Sequence, residues 1–245
     1  MVRKFDQRAK LDESDRQALL GLPYDLKTME AGRYIVREGS SPDHSAILVS
    51  GLAYRHKITA EGARQIVSIQ VPGDFVDLEG SLLNVVDHNI QALTRCEVAL
   101  IRSSAILELV NLHPRIARAM WIDTMIDGSI FREWVVNVGR RDAREKLAHL
   151  MCEFARRLEA AGMGSSSGYE LPMTQEQLGD ATGLTSVHVN RTLRSLADEG
   201  LIERERRFIR IPDWEKMRTI AGFNETYMHL DQVVSPGARR NPRSG

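Results

Sequence analysis

A chain of 245 residues, 42% hydrophobic and 27% charged, has room for two ordinary domains and enough apolar material for a sizeable core. Its 33 basic and 33 acidic side chains cancel, which excludes attraction of polyanions by the chain as a whole and leaves only a local basic face to hold one. Two cysteines, Cys96 and Cys152, exclude a disulfide scaffold and any four-cysteine metal or iron–sulfur centre; with no long apolar run and a charged Met1 to Lys10, the chain reads as cytoplasmic, with no membrane partner.

Leu11 to Leu22 predicts a short amphipathic helix closed by Gly21 and Pro23. From Gly32 to Ser104 the chain reads as short strands: Tyr34–Val36, Ala46–Val49, Gln65–Ile69 and Glu97–Ile101. Gly39, Gly51, Gly62 and Gly73 punctuate them at about a dozen residues or slightly fewer, the spacing of a small antiparallel roll. Cys96 lies in an alternating strand and reads as a small buried hydrophobe.

Pro114 to Val138 then predicts one long helix with two apolar stripes. The first carries Ile116, Ile122, Ile126, Ile130 and Trp134; the second carries Met120, Phe131 and Val135. One stripe can cover the roll and the other needs a partner, so a homodimer is expected, with the first set assigned to the dimer helix. Gly128 would permit close helix approach. A further helix follows over Ala143 to Ala161, with Leu147, Leu150, Met151, Phe154 and Leu158 on one face. The expected division is therefore a helix and β-roll sensor over 1–112, a dimerisation helix over 113–139 and a DNA-binding domain over 140–218. A tail over 219–245 follows, whose last part from Ser235 is expected to be disordered. The fold class is α+β.

Leu171 to Ile211 carries the most information. Thr174, three residues before Gln177, opens a helix with a capping box; Gly183 turns the chain; Thr185 caps a second helix that Gly200 ends. Small Gly179 lies where the two helices cross, and Leu178, Leu184, Val189 and Leu193 supply the shared core. This is helix–turn–helix spacing, with the second helix presented to a major groove of double-stranded DNA. A two-stranded wing follows, with Arg204, Arg206 and Arg207 at its tip for phosphates. The candidate DNA-binding residues are Thr174, Gln175, Ser186, Val187, His188, Asn190, Arg191, Arg194, Arg206 and Arg207. Between Leu171 and Arg218 the bases and acids balance, so binding requires the acids to be sorted away from the groove.

A glycine-punctuated roll, a long helix and a winged helix in that order resemble the Crp/Fnr superfamily of bacterial transcription regulators. The resemblance rests on Gly32 to Gly51, Pro72-Gly73-Asp74-Phe75 and Leu171 to Ile202, above all on Gly183 to Leu193. It implies a homodimer on a palindromic site, with RNA polymerase as a further partner. Members that bind cyclic AMP resemble one another in a Gly-Glu pair for the ribose and an Arg-Ser or Arg-Thr for the phosphate. Here the corresponding stretches read Val76-Asp77-Leu78-Glu79-Gly80 and Asp87-His88-Asn89, so His88 stands for the phosphate arginine and Asp87 repels an anion. Cyclic AMP and an iron–sulfur cluster are both read as absent, no cofactor or metal is assigned, and neither His88 nor His113 is read as a haem ligand. Many members carry Glu at the position of Val187, which accepts from cytosine; valine suits a thymine methyl instead.

A signal in the roll would lie between Glu79, His88 and Asn89 on one side and Asp123, Thr124 and Asp127 of the long helix on the other. Alternatives are a regulator always competent for DNA, and an adaptor that binds protein partners. A cupin-type enzyme is excluded for want of any His-x-His pair.

Overall fold

In the computed structural model, which describes residues 1–165 and 167–230, the glycine-rich segment forms two antiparallel sheets. One has the order β1 (Asp25–Met29), β7 (Cys96–Arg102), β3 (His44–Ser50). The other runs β2 (Tyr34–Val36), β6 (Asn89–Ala92), β4 (Ala53–Ile58), β5 (Arg64–Gln70). The four predicted strands are present as β2, β3, β5 and β7; β1, β4 and β6 are additional. β1 and β4 lack an alternating apolar signal, since β1 is exposed along most of its length and β4 carries Arg55 and His56 in its centre, while β6 alternates over only four residues. They are strands because their neighbours supply the ladder. Gly51 makes the β3–β4 turn at φ +79, where a Cβ would lie 2.3 Å from the Arg95 carbonyl oxygen, so no other residue fits. Leu48, Val76, Ile90 and Val98 fill the roll together with Cys96, whose thiol burial pushes up to about 11.

Two helices precede the roll. The second, α2 (Glu13–Leu20), was anticipated and starts with a capping box between Asp12 and Asp15. The first, α1 (Val2–Ala9), was not, because charged and polar residues dominate its sequence and leave only Val2, Phe5 and Ala9 as an apolar stripe. It anchors through Phe5, which is fully buried and stacks on Phe75 with ring centroids 5.9 Å apart. After the roll come α3 (Ser103–Leu112) and the 27-residue α4 (Pro114–Arg140), which Pro114 opens at its first turn.

The assignment of faces on α4 needs correction. Ile116 packs with Ala119 and Met120 against α1, α3 and the roll, while Ile126, Ile130 and Trp134 join the core shared with the C-terminal domain, and Ile122 lies partly buried beside it. These residues therefore serve the chain's own core. The face left uncovered carries Trp121, Met125, Val135 and Val136. Both faces of the helix are apolar, and periodicity does not say which one the rest of the chain will claim.

Asp142 and Glu145 cap α5 (Ala143–Ala160), whose Leu147, Leu150, Met151, Phe154 and Leu158 are buried as expected. Residues 219–230 are not a tail. After α8 (Trp214–Ile220), Phe223 and Met228 are buried and the Tyr227 hydroxyl donates to the Glu153 carboxylate at 2.7 Å. Arg8 of α1 donates to the His229 carbonyl at 2.7 Å, tying the N-terminal helix to this segment. The disorder expected from Ser235 lies outside the described residues. Among the described residues no helix is long and apolar enough to cross a membrane.

Candidate nucleic-acid interface

Local chemistry builds the C-terminal unit. Thr174 accepts from the Gln177 amide at 3.1 Å and donates its own amide to the Gln177 side chain at 2.9 Å, which starts α6 (Gln175–Thr182). Gly183 turns the chain in the left-handed region at φ +68. Thr185 then accepts from the His188 amide at 3.2 Å and starts α7 (Ser186–Asp198). A Cβ on Gly179 would stand 2.4 Å from the Leu184 carbonyl oxygen, so this crossing admits only glycine.

Val189, Thr192, Leu193 and Leu196 form the buried face of α7. Its opposite face holds Val187, Asn190, Arg191 and Arg194 at helical spacing, with Val187 81% exposed. Together with Gln175 and Ser186 they line an open recess of about 700 Å³, which Ser195, Asp198 and Glu199 complete. Six of the predicted DNA-binding residues thus share one surface. Thr174 is exposed beside them with its hydroxyl engaged in the cap, and His188 is half-buried on the flank. Arg206 and Arg207 occupy the turn between β9 (Glu203–Glu205) and β10 (Phe208–Arg210), with Arg206 at φ 53. The wing has a third strand not foreseen, β8 (Gly168–Glu170), giving the order β8-β10-β9.

The balanced charges are sorted. Glu176 and Asp180 face Arg64 of the roll at 3.5 and 2.7 Å, Glu199 pairs with Arg144, Glu203 with Arg210 at 3.2 Å, and Glu215 with Arg218 at 3.5 Å. Asp213 caps α8. Arg191, Arg194, Arg206 and Arg207 have no ion-pair partner among the described residues, so the outer face offers unpaired cations, with Asp198 and Glu199 sharing the recess. The contact between β5 and α6 was not legible in the sequence: Arg64 grips Asp180, and the Gln65 side-chain Nε2 donates to the Asp180 backbone carbonyl at 2.7 Å.

The family of Crp-like helix-turn-helix domains matches residues 145–220, and that of cyclic nucleotide-binding domains matches residues 26–113. The chain belongs to the Crp/Fnr family. It is similar to the transcriptional activator protein FnrL of Cereibacter sphaeroides, with 29% identity over 218 residues, 87% of each chain. The nitrogen fixation regulation protein FixK of Bradyrhizobium diazoefficiens is 31% identical over 156 residues, 63% of this chain and 64% of that one. Among solved structures, FixK2 from Bradyrhizobium japonicum shares the fold with a TM-score of 0.76 at 22% identity, covering 83% of this chain and all of that one. As a Crp/Fnr protein the chain is a DNA-binding transcription regulator, and the family is not one of enzymes.

In this Crp/Fnr chain the six residues assigned to a signal pocket do not converge. Glu79 and His88 lie together in the roll at 3.7 Å. Asn89 instead braces the start of β6, accepting from the Glu38 amide at 3.1 Å. On α4, Thr124 is exposed and its hydroxyl donates back to the Met120 carbonyl at 3.0 Å. Asp123 is claimed by α1, through Lys4 at 2.7 Å and Arg8 at 3.6 Å. Asp123 and Asp127 line a separate cleft of about 440 Å³ that also contains Lys4, Arg8, Asp74 and Arg157. Burial of Lys4 opposes its charge, but Asp74 and Asp123 outweigh it and hold the ammonium above its ordinary value. Burial of Asp127 outweighs Lys4 and pushes its carboxyl up to about 6. The unforeseen helix α1 is the physical reason for the split: its cations neutralise the acids that the long helix offers.

Proposed function

We propose that the chain acts in the cytoplasm as a homodimer that reads a palindromic DNA site through α7 and assists or blocks RNA polymerase there. The observation that carries this reading is the outer face of α7, where Val187, Asn190, Arg191 and Arg194 surround an open recess while Asp180 and Glu199 are paired with Arg64 and Arg144. Arg191 and Arg194 would contact guanine edges or phosphates, Val187 a thymine methyl, and the wing arginines the flanking backbone.

The dimer rests on α4. Trp121, Met125, Gly128, Arg132, Val135 and Gly139 follow one another at alternating spacings of four and three residues, all on the face the chain leaves uncovered or partly covered. A repeat averaging about 3.5 residues is that of a two-helix seam, and a glycine within it allows backbones to approach. A second copy of α4 supplies the matching face by two-fold symmetry. Two copies of α7 about 34 Å apart would reach successive major grooves. The roll receives the signal; with His88 beside Asp87 and no arginine at the phosphate position, a cyclic nucleotide is not the ligand supported.

Selection of the purified chain against a randomised DNA library at physiological salt tests the reading. The expected result is a palindrome with half-sites one helical turn apart. No enrichment, either with the pure protein or in cell extract, would remove the DNA-reading proposal and favour a protein-binding adaptor.

A further inference from the structure

Asp77, Glu79 and His88 come together in the roll around a 3₁₀ turn at Glu79–Ser81 and the start of β6, so that one donor atom of each lies within 4.8 Å of the others. Asp77 is fully buried and the His88 side chain is only 6% exposed. Yet Asp77 Oδ2 and His88 Nε2 have no hydrogen-bond partner. Leaving two such buried atoms without a partner is costly unless something binds between them.

The surroundings orient both atoms. The Gly80 amide donates to Asp77 Oδ1 at 3.2 Å, which fixes the carboxylate and leaves Oδ2 facing the cluster. His88 Nδ1 lies 2.8 Å from Asp87 Oδ1; with its proton held there, Nε2 presents a lone pair towards Glu79 Oε2, 3.7 Å away. A carboxylate behind a histidine is the usual second-layer support of a metal-bound imidazole. Arg55 reaches Glu79 at 3.3 Å and the Val76 carbonyl at 3.1 Å, so its hydrogen bonds go to those groups and Asp77 Oδ2 keeps no partner. With the imidazole proton on Nδ1 and both carboxylates ionised, all three facing atoms are acceptors, and a metal cation satisfies all three.

We propose that Asp77, Glu79 and His88 form a binding site for a divalent first-row transition metal inside the roll. One imidazole nitrogen with two carboxylate oxygens suits manganese, iron(II) or zinc, and the absence of thiolate disfavours copper(I). Water would complete the coordination. The sequence reading assigns no metal because the donors are neither adjacent nor in a recognised spacing; the loop between residues 77 and 88 brings them together.

The test uses the full chain, stripped with EDTA, dialysed and titrated separately with Zn2+ and Mn2+ by calorimetry, with metal content measured after dialysis. One ion per chain is expected. Asp87→Asn alters an exposed side chain, and as a positioning variant it should weaken binding roughly 10- to 100-fold. Glu79→Gln, at a residue whose side chain is 41% exposed, should weaken it at least as much. His44→Gln, on the exposed end of β3, should leave it unchanged. His88→Gln should abolish binding, with circular dichroism checking that it folds; the two exposed variants decide the matter if it does not. No retained ion, or equal affinity in Glu79→Gln and the parent, would overturn the site. No DNA enters the measurement, so its failure leaves the DNA-reading proposal standing.

Discussion

Val187 and Arg191 sit one turn apart on the outer face of α7, and the chemistry of each sets a different expectation. Arg191 lines the recess with no ion-pair partner among the described residues, so Arg191→Ala should weaken binding to the selected site by about 1–3 kcal/mol, roughly 5- to 150-fold, and relax preference at one base position. Fluorescence anisotropy with matched and mismatched duplexes separates the two effects. Val187→Glu should move the preferred half-site towards cytosine at the base it faces, since a carboxylate accepts from the cytosine amine; an unchanged preference in repeated library selection would show that Val187 faces no base. Gly179 makes a purely structural point. Its missing Cβ leaves room for the Leu184 carbonyl, so Gly179→Ala should lower stability by about 1–3 kcal/mol in thermal melts without altering any DNA-facing group.

Helix α4 shows how an element can be read correctly and oriented wrongly. Its limits and its two apolar faces follow from Pro114 and the spacing of Ile116 to Trp134, but burial by α1, the roll and α5 depends on residues distant in sequence. Met125→Arg should therefore yield a folded monomer in sedimentation velocity, because Met125 is exposed within its own chain. Ile126→Ala, one residue along, should instead destabilise the fold by about 2–5 kcal/mol, because Ile126 is core. The helix–turn–helix was legible for the opposite reason: Thr174, Gln177, Gly183 and Thr185 act on their own neighbours, so their chemistry is visible in sequence order. The strands β1, β4 and β6 and the charged helix α1 were not, since long-range pairing and ion pairs make them what they are. The same holds for the signal pocket, whose two halves were assigned together and lie apart.

At the scale of the whole molecule, the cleft between α1, α4 and α5 couples stability to pH. Asp127 faces Lys4, Asp123, Asp74 and Arg55, and its carboxyl is held up to about 6 against an ordinary 3.8, burial being the main cause. Between about pH 4 and 6 the unfolded chain loses this proton while the folded chain keeps it, so the contribution of Asp127 to folding stability falls as pH rises through that window and levels above it, opposite in sign to the buried His56 and His149, whose pKa values burial lowers. Asp127→Asn should remove this decline and raise stability at pH 7 by about 1–3 kcal/mol in urea unfolding. A parent-like slope in the variant would assign the pH dependence to other groups.

The clasp of Arg64 and Gln65 on Asp180 joins the roll directly to the first helix of the DNA reader. A joint of this kind transmits in both directions. Whatever free energy a ligand in the roll delivers to α6 through it, DNA seated on α7 returns to the roll, changing ligand affinity by the same factor. A promoter bearing this protein would then also tighten or loosen the hold on any ligand that the roll takes.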